Sequence, residues 1–206
     1  MLRIMRRTKE EALVTRENLL TAALEVFSRD GYSAARLEDI AEAAEVTRGA
    51  IYHHFGSKEE LYIALVTERS AGINKLAEQV LSEGGTADEI IRRFLLSLIG
   101  YLEENPEYRS LLELATSKVE LTDGLKSLRE DTIKGRRQLA SAFQNLLKQG
   151  IQEGTIRADL PVTPAAWNLI SFMNGVGLIW IQDPGAFSIH EDKEALVDTF
   201  LIGLIS

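Results

Sequence analysis

Between Leu37 and Lys58 the chain reads LEDIAEAAEVTRGAIYHHFGSK, and this stretch constrains the fold more than any other. Leu37, Ile40, Ala41 and Ala44 recur at i, i+3, i+4 and i+7, which places them in one apolar stripe on a helix. Glu45-Val46 breaks that pattern, and Thr47 predicts the N-cap of a second helix, where its hydroxyl can accept an orphan N–H. At about 100° per residue, Ala50, Ile51 and His54 fall on one side of that helix, and Arg48, Gly49, Tyr52 and His53 on the other. Ala41, Val46 and Ile51 are small or branched, as a close crossing through a short turn requires. Ser57 and Glu60 then form a capping box for a third helix. A short helix with an apolar back and a front of Arg, Tyr, His and an open Gly suits insertion into a DNA major groove.

The rest of the chain shows only helical periodicity. A first helix is expected from about Lys9 to Arg29, with Leu20, Ala23, Leu24 and Phe27 inward and Gly31 ending it. Residues 1 to about 10 read as a mobile basic arm. From Ser57 a helix is expected to reach about Leu81, before Gly84-Gly85. Thr86 or Asp88 opens the next, with Ile91, Phe94, Leu95, Leu98, Ile99 and Leu102 inward. Asn105 caps a helix that starts at Pro106 and carries Leu111, Leu112, Leu114 and Ala115. A polar break near 119–123 precedes a long helix from about Leu125 to Glu153. Thr163-Pro164 reads as cap and first turn of an apolar helix that ends at Asp183-Pro184-Gly185. A last helix is expected from about Glu191 to Ile205. With no strand-like alternation, the fold class is all-α: a three-helix helix-turn-helix domain at 1–56 and a larger helical bundle at 57–206, about nine helices together.

Composition bears on function mainly by exclusion. The 206 residues, 45% of them hydrophobic, are enough for a substantial core. The absence of cysteine excludes disulfides and thiol chemistry and fits a reducing compartment. The opening MLRIMRRTKEE lacks an apolar signal region, and the stretch Ala165–Ile181 is interrupted by Asn168, Ser171, Asn174 and two glycines. A cytoplasmic protein with no membrane partner is expected. The net charge of −8 runs against nucleic acid, as −2 over residues 1–60 and −6 beyond them. Placement counts for more than the sum. Arg3, Arg6, Arg7 and Lys9 precede the first acid, and Arg36, Arg48 and Lys58 bracket the two short helices, with Glu38, Glu42 and Glu45 expected on surfaces away from DNA.

No catalytic or metal constellation emerges. His53 and His54 are adjacent and point to different sides of a helix, so they cannot share a metal, and His190 is isolated. Gly175-Val176-Gly177 sits inside an apolar helix with no preceding strand, which discounts a dinucleotide fingerprint. Glu113, Lys118 and Glu120 read as a solvated helix end. An enzyme is not expected, and neither is a cofactor or a metal. The helix Trp167–Ile181 is apolar almost all round and must be covered on every side, which a second subunit would do. Its outer face is assigned to Trp167, Ile170, Asn174, Gly177 and Ile181.

The string TRGAIYHHFGSKEEL resembles the signature of the TetR family of transcriptional regulators, and RRTKEEALVTRENLLTAALEVFSRDG resembles the first helix of its AcrR-like multidrug-efflux repressors. The likeness is strong over about residues 6–66. It implies a homodimer whose last two helices form a four-helix interface, a palindromic double-stranded DNA operator, and a small-molecule effector that releases it. On the resemblance, Arg48 contacts a base or phosphate, Gly49 admits the DNA backbone, Tyr52 and Lys58 hold phosphates, His53 tunes specificity, and Arg36 and Thr47 complete the DNA-binding set. An effector, by analogy hydrophobic or aromatic, would be lined by Phe94, Leu98, Tyr101, Leu114, Phe143, Leu147, Phe172 and Val176.

Two positions depart from the family pattern. Ala35-Arg36 replaces the usual Thr and Ser/Thr before Leu37, losing a cap that contributes about 1 kcal/mol. Glu45 stands where relatives often have Gly, and a non-Gly residue at positive φ costs about 1 kcal/mol. Two alternatives stay open: a helical ligand-binding or scaffolding dimer whose N-terminal motif docks on protein, and a transcriptional activator. Against protein docking, the front of Arg48, Tyr52 and Lys58 carries no aliphatic residue.

Overall fold

The computed structural model describes the backbone of residues 2–116 and 123–205, and side chains over 9–114 and 124–205. Arg3, Arg6, Arg7, Ala115, Lys118 and Glu120 therefore lie outside the described side chains. Ten α-helices occur among the described residues: α1 Leu2–Ala34, α2 Leu37–Ala43, α3 Arg48–Phe55, α4 Lys58–Arg69, α5 Ala71–Ser82, α6 Ala87–Glu104, α7 Pro106–Thr116, α8 Lys126–Glu153, α9 Val162–Gln182 and α10 Ile189–Leu201. A 3-10 turn, Asp123–Leu125, precedes α8. The all-α expectation holds; the only β-type pairing among the described residues is one isolated antiparallel bridge, Ile156 with Ile205.

Several boundaries differ from the sequence reading, for local reasons. α1 begins at Leu2, not Lys9, because RRTKEEAL contains good helix formers and no Gly or Pro to stop it. Its regular path breaks at Gly31 (φ 76°), where an end was expected. The single helix expected from Ser57 to Leu81 is two, α4 and α5, parted at Ser70. Ser70 and Gly72 are weak helix formers, and Gly in a helix interior costs about 1 kcal/mol relative to Ala. α9 starts at Val162 with Pro161, not Thr163, at the N-cap. α10 runs from Ile189 to Leu201, with Ser188 Oγ accepting the Glu191 N–H at 3.2 Å. The Asn105 cap is as expected: its Oδ1 accepts the Tyr108 N–H at 2.9 Å.

The chain divides into two compact units, one of residues up to Arg69 together with Ser110–Lys126, the other Ser70–Arg109 with Ser127–Ser206. In the first unit, Leu19, Leu20 and Phe27 of α1, Ile40 of α2, Ile51 of α3 and Leu61 and Leu65 of α4 are fully buried. Burying each such side chain stabilises by about 1.5–3 kcal/mol. Phe27, Tyr32 and Tyr62 form an aromatic cluster, with the Tyr32 and Tyr62 ring centroids 4.8 Å apart. At the rim, Arg16 donates two hydrogen bonds to the Glu68 carboxylate (2.5 and 2.6 Å), and its guanidinium lies 4.9 Å from the centre of the Phe55 ring. One side chain of α1 thereby touches both the end of α4 and the end of α3.

The second unit is built around α6, whose Ile91, Leu95, Leu98, Ile99 and Leu102 are buried. Phe94 meets Phe143 of α8 at 5.8 Å between ring centroids. Gly150 of α8 is required by close approach: a Cβ there would lie 2.6 Å from the Ile156 side chain and 3.1 Å from Ala87 Cβ. Within the single chain α9 keeps large apolar side chains outside: Trp167, assigned to the outer face, stays 39% exposed, and Ile179, not assigned there, 52%. By length and composition alone α9 could cross a membrane, contrary to expectation, because its apolar residues outweigh the polar interruptions; 33% of its most apolar stretch is buried.

Candidate nucleic-acid interface

The reading head is α2, its turn and α3, and its shape follows from a few backbone bonds. Ala44 N–H donates to Ile40 O (3.0 Å), Glu45 N–H to Glu42 O (3.0 Å) and Val46 N–H to Ala41 O (2.9 Å), closing α2 and reversing the chain within four residues. Glu45 carries this reversal at φ 55°, the one non-Gly residue with positive φ among those described. The strain expected of this substitution is thus present, about 1 kcal/mol. Arg36 occupies the N-cap of α2 with no side-chain capping bond, as the sequence implied, while Glu38 and Asp39 in the first turn favour the helix dipole. Thr47 is the N-cap of α3, but its hydroxyl accepts no capping bond; the first turn closes instead through its carbonyl, which accepts the Ala50 N–H at 2.9 Å. Gly56 (φ 80°) ends α3 in a conformation that suits glycine, and Ser57 Oγ accepts the Glu60 N–H at 3.1 Å to start α4.

The two faces of α3 are those expected. Ile51 and Phe55 are buried, Ala50 and His54 half-buried, and Arg48, Gly49, Tyr52 and His53 exposed. Burial, then the charges on His53 and Arg16, push the His54 pKa below its ordinary value. Gly49 is open: a Cβ there would meet nothing closer than Thr47 Oγ1 at 3.7 Å, so no internal contact requires glycine at this position. Arg36 is exposed at the start of α2.

Two cations of the head are already engaged. Lys58 is half-buried; its Nζ donates to the Ala35 carbonyl at 2.5 Å and lies 4.8 Å from the Tyr32 ring centroid, and burial lowers its pKa. It closes the junction between α1 and α2, a structural duty the sequence did not reveal. Arg48 donates to the Glu38 carboxylate and, at 2.7 Å, to the Tyr52 hydroxyl oxygen. Glu38 was expected away from this surface. It lies on it: the Arg48 guanidinium reaches back to the Glu38 carboxylate, ten residues earlier in sequence.

The other expected sets are less sharply grouped. Phe94, Leu98, Phe143, Leu147 and Val176 are buried in the second unit, while Tyr101 and Phe172 are half-buried there. Leu114 is buried but belongs to the first unit. Tyr101 Oη accepts from Asn105 Nδ2 at 2.8 Å, and Phe172 stacks on Phe200 at 4.3 Å. On α9, Trp167 and Asn174 are exposed and Ile181 is half-buried, whereas Ile170 and Gly177 are buried within their own chain. The outward stripe of α9 is therefore Trp167, Asn168, Ser171 and Asn174, a slightly rotated face. Among the described residues no group of three His, Cys, Asp or Glu could hold a metal.

Comparison with known proteins gives this geometry a family. Residues 19–65 match the bacterial regulatory proteins of the tetR family, and residues 88–205 match the C-terminal region of the MAATS-type transcriptional repressors. The HTH-type transcriptional regulator TtgR of Pseudomonas putida is 32% identical over 203 residues, covering 96% of this chain and 95% of its own. The probable acrEF/envCD operon repressor of Escherichia coli is 29% identical over 95% of this chain and 89% of its own. Among solved structures, NalD, the secondary repressor of the MexAB-OprM multidrug efflux pump in Pseudomonas aeruginosa, superposes with a TM-score of 0.83 at 26% identity, covering 95% of this chain and 98% of that one. These relatives are transcriptional regulators, which favours neither enzymatic activity nor a protein-docking role for the motif. The helix-turn-helix at Leu37–Phe55 is a DNA-binding element, and the chain belongs to the TetR family of bacterial transcriptional regulators, with the C-terminal region of its MAATS-type repressors.

Proposed function

We propose that the protein represses transcription as a cytoplasmic homodimer that holds a palindromic operator, near its own gene, and lets go when a small hydrophobic or aromatic molecule binds. The observation that carries this reading is the exposed front of α3, Arg48, Gly49, Tyr52 and His53, set on the buried anchors Ile51 and Phe55. An eight-residue helix held from behind and polar in front can lie in a major groove without rearranging its own core. Arg48 then contacts a base or phosphate, Tyr52 and Arg36 hold phosphates, Thr47 lies beside the backbone, and His53 tunes specificity. Lys58 contributes its remaining donor capacity as a phosphate neighbour.

In this reading residues 1–56 are the DNA-binding domain, and 57–206 carry ligand binding and dimerisation. The outward stripe of α9 begins at Trp167, whose exposed ring is a good anchor for a second copy. The effector is lined by the aromatic and aliphatic residues around Phe94, Phe143 and Phe172. It acts only through differential affinity for the two states of the dimer, with a coupling of about 1–3 kcal/mol. NalD, a secondary repressor of a multidrug efflux pump, supports an effector of the kind efflux pumps export.

Selection from a random-sequence duplex pool tests this function. Enrichment of an inverted repeat whose half-sites sit one helical turn or slightly more apart, about 34–36 Å, is the expected result. Enrichment of no sequence, or of a single unrepeated site, would reject it.

A further inference from the structure

An acid on a DNA-facing surface calls for an explanation. Glu38, on the first turn of α2, is exposed on the same face as Arg48, Tyr52 and the open Gly49, in the half of the molecule that must meet a polyanion. Its carboxylate accepts a hydrogen bond from Arg48, and the Arg48 guanidinium also donates to Tyr52 Oη at 2.7 Å and lies 5.4 Å from the Tyr52 ring centroid. The guanidinium is thus held from two sides, by a negative charge on α2 and a phenol on α3. Both side chains of the ion pair are about half exposed, so solvent screens the pair and it adds little to folding stability. A pair of small structural value on the contact face has a different consequence: it sets what Arg48 can do to DNA.

We propose that Glu38 is a specificity-determining residue of the reading head, holding Arg48 off the phosphates of non-cognate DNA and aimed for a base edge. This rests on the reading of α3 as the element that reads the operator. Phosphate attraction is independent of sequence and makes up nearly all non-specific binding, whereas bidentate contacts of Arg with guanine carry sequence information. A carboxylate beside the arginine subtracts from the first and, by fixing the side chain, favours the second. Glu38 acts through Arg48 and touches no base itself. The net charge of −8 points the same way, because such a chain has little sequence-independent attraction to lose.

The test is fluorescence anisotropy of the full-length wild type, Glu38→Gln, Arg48→Ala and the double variant, each on a duplex selected from the random pool and on its scrambled counterpart, across a salt series. Glu38→Gln keeps the size and one acceptor oxygen, while it removes the charge and turns the other oxygen into an N–H donor. It is expected to tighten binding to scrambled DNA by about tenfold per dimer, and to steepen the salt dependence by about one freed contact per subunit. The ratio of selected to scrambled affinity should fall. In the Arg48→Ala background the same change should leave that ratio unaltered, which a structural role for Glu38 would not produce. An unchanged ratio in Glu38→Gln with wild-type discrimination intact would overturn the proposal alone. So would a loss of discrimination that persists without Arg48, since Glu38 would then read a base itself. If the wild type fails to discriminate selected from scrambled DNA, the reading of α3 falls, and the role of Glu38 with it.

Discussion

The two compact units show opposite things to solvent. On α3 the exposed residues are Arg48, Gly49, Tyr52 and His53, groups that donate hydrogen bonds or make room, while the apolar residues are withdrawn. On α9 the reverse holds in part: Trp167 and Ile179 remain outside, and Ile170 and Gly177 are inside. The first surface suits a charged, hydrated partner, and under the proposed function the second suits another protein surface, where a large aromatic ring can be buried. In the proposed reading, the difference leaves polar specificity to a few residues on one short helix. Assembly and ligand response, in the same reading, rest on surface that differs little from ordinary core.

The sharpest way to break the comparison is to remove the polar front. Arg48→Ala with Tyr52→Ala should weaken operator binding by about 100-fold or more, read by anisotropy, with unchanged helix content by circular dichroism. Loss of the fold would mean these side chains belong to the core. On the other surface, Trp167→Asp should raise the dimer dissociation constant by about tenfold or more, read by sedimentation velocity, with the monomer still folded. An unchanged dimer would place the interface elsewhere. Within the second unit, Leu147→Ala should cost about 2–5 kcal/mol in urea unfolding, since Leu147 is fully buried.

Smaller effects sharpen the picture of the head. Glu45→Gly should stabilise by about 1 kcal/mol, because it relieves a positive φ in the turn. No gain would mean that Glu45 makes a compensating contact. His54 supplies a pH test. Its folded pKa lies below the ordinary value, mainly through burial. As pH falls below about 6.5 the unfolded chain therefore takes up a proton before the folded one does. Its contribution is full at higher pH, declines through that window, and levels off once folded His54 is protonated. Urea midpoints at about pH 7.5 and about pH 5.5 should converge slightly in His54→Gln relative to wild type. An identical drop in both would assign the pH dependence to other groups.

Legibility in sequence followed the range of the interactions. The faces of α2 and α3 were readable because helical spacing alone separates Ile51 from Arg48 and Tyr52. The Asn105 cap was readable for the same reason, since capping acts within one turn. The break at Ser70 was missed because the apolar pattern of α4 and α5 runs on across it, and only weak propensity marks the spot. Glu38 and Lys58 were misjudged because their partners lie across turns: Arg48 ten residues on, and the Ala35 carbonyl 23 residues back. Glu38 sits in the first turn of α2, away from the turn that leads to Arg48, so local spacing gave no signal for the pair. For the effector lining nothing separates a ligand contact from core, since Phe94, Phe143 and Leu147 are buried in either case.

The most direct measurement is anisotropy of the wild-type protein on labelled DNA from immediately upstream of its gene, across a salt series and against scrambled competitor. If the front of α3 reads sequence, binding will be tight, will weaken steeply as salt rises, and will survive an excess of competitor. Binding that competitor removes as readily as the labelled duplex itself would contradict the assignment of α3 as the reading helix for that operator.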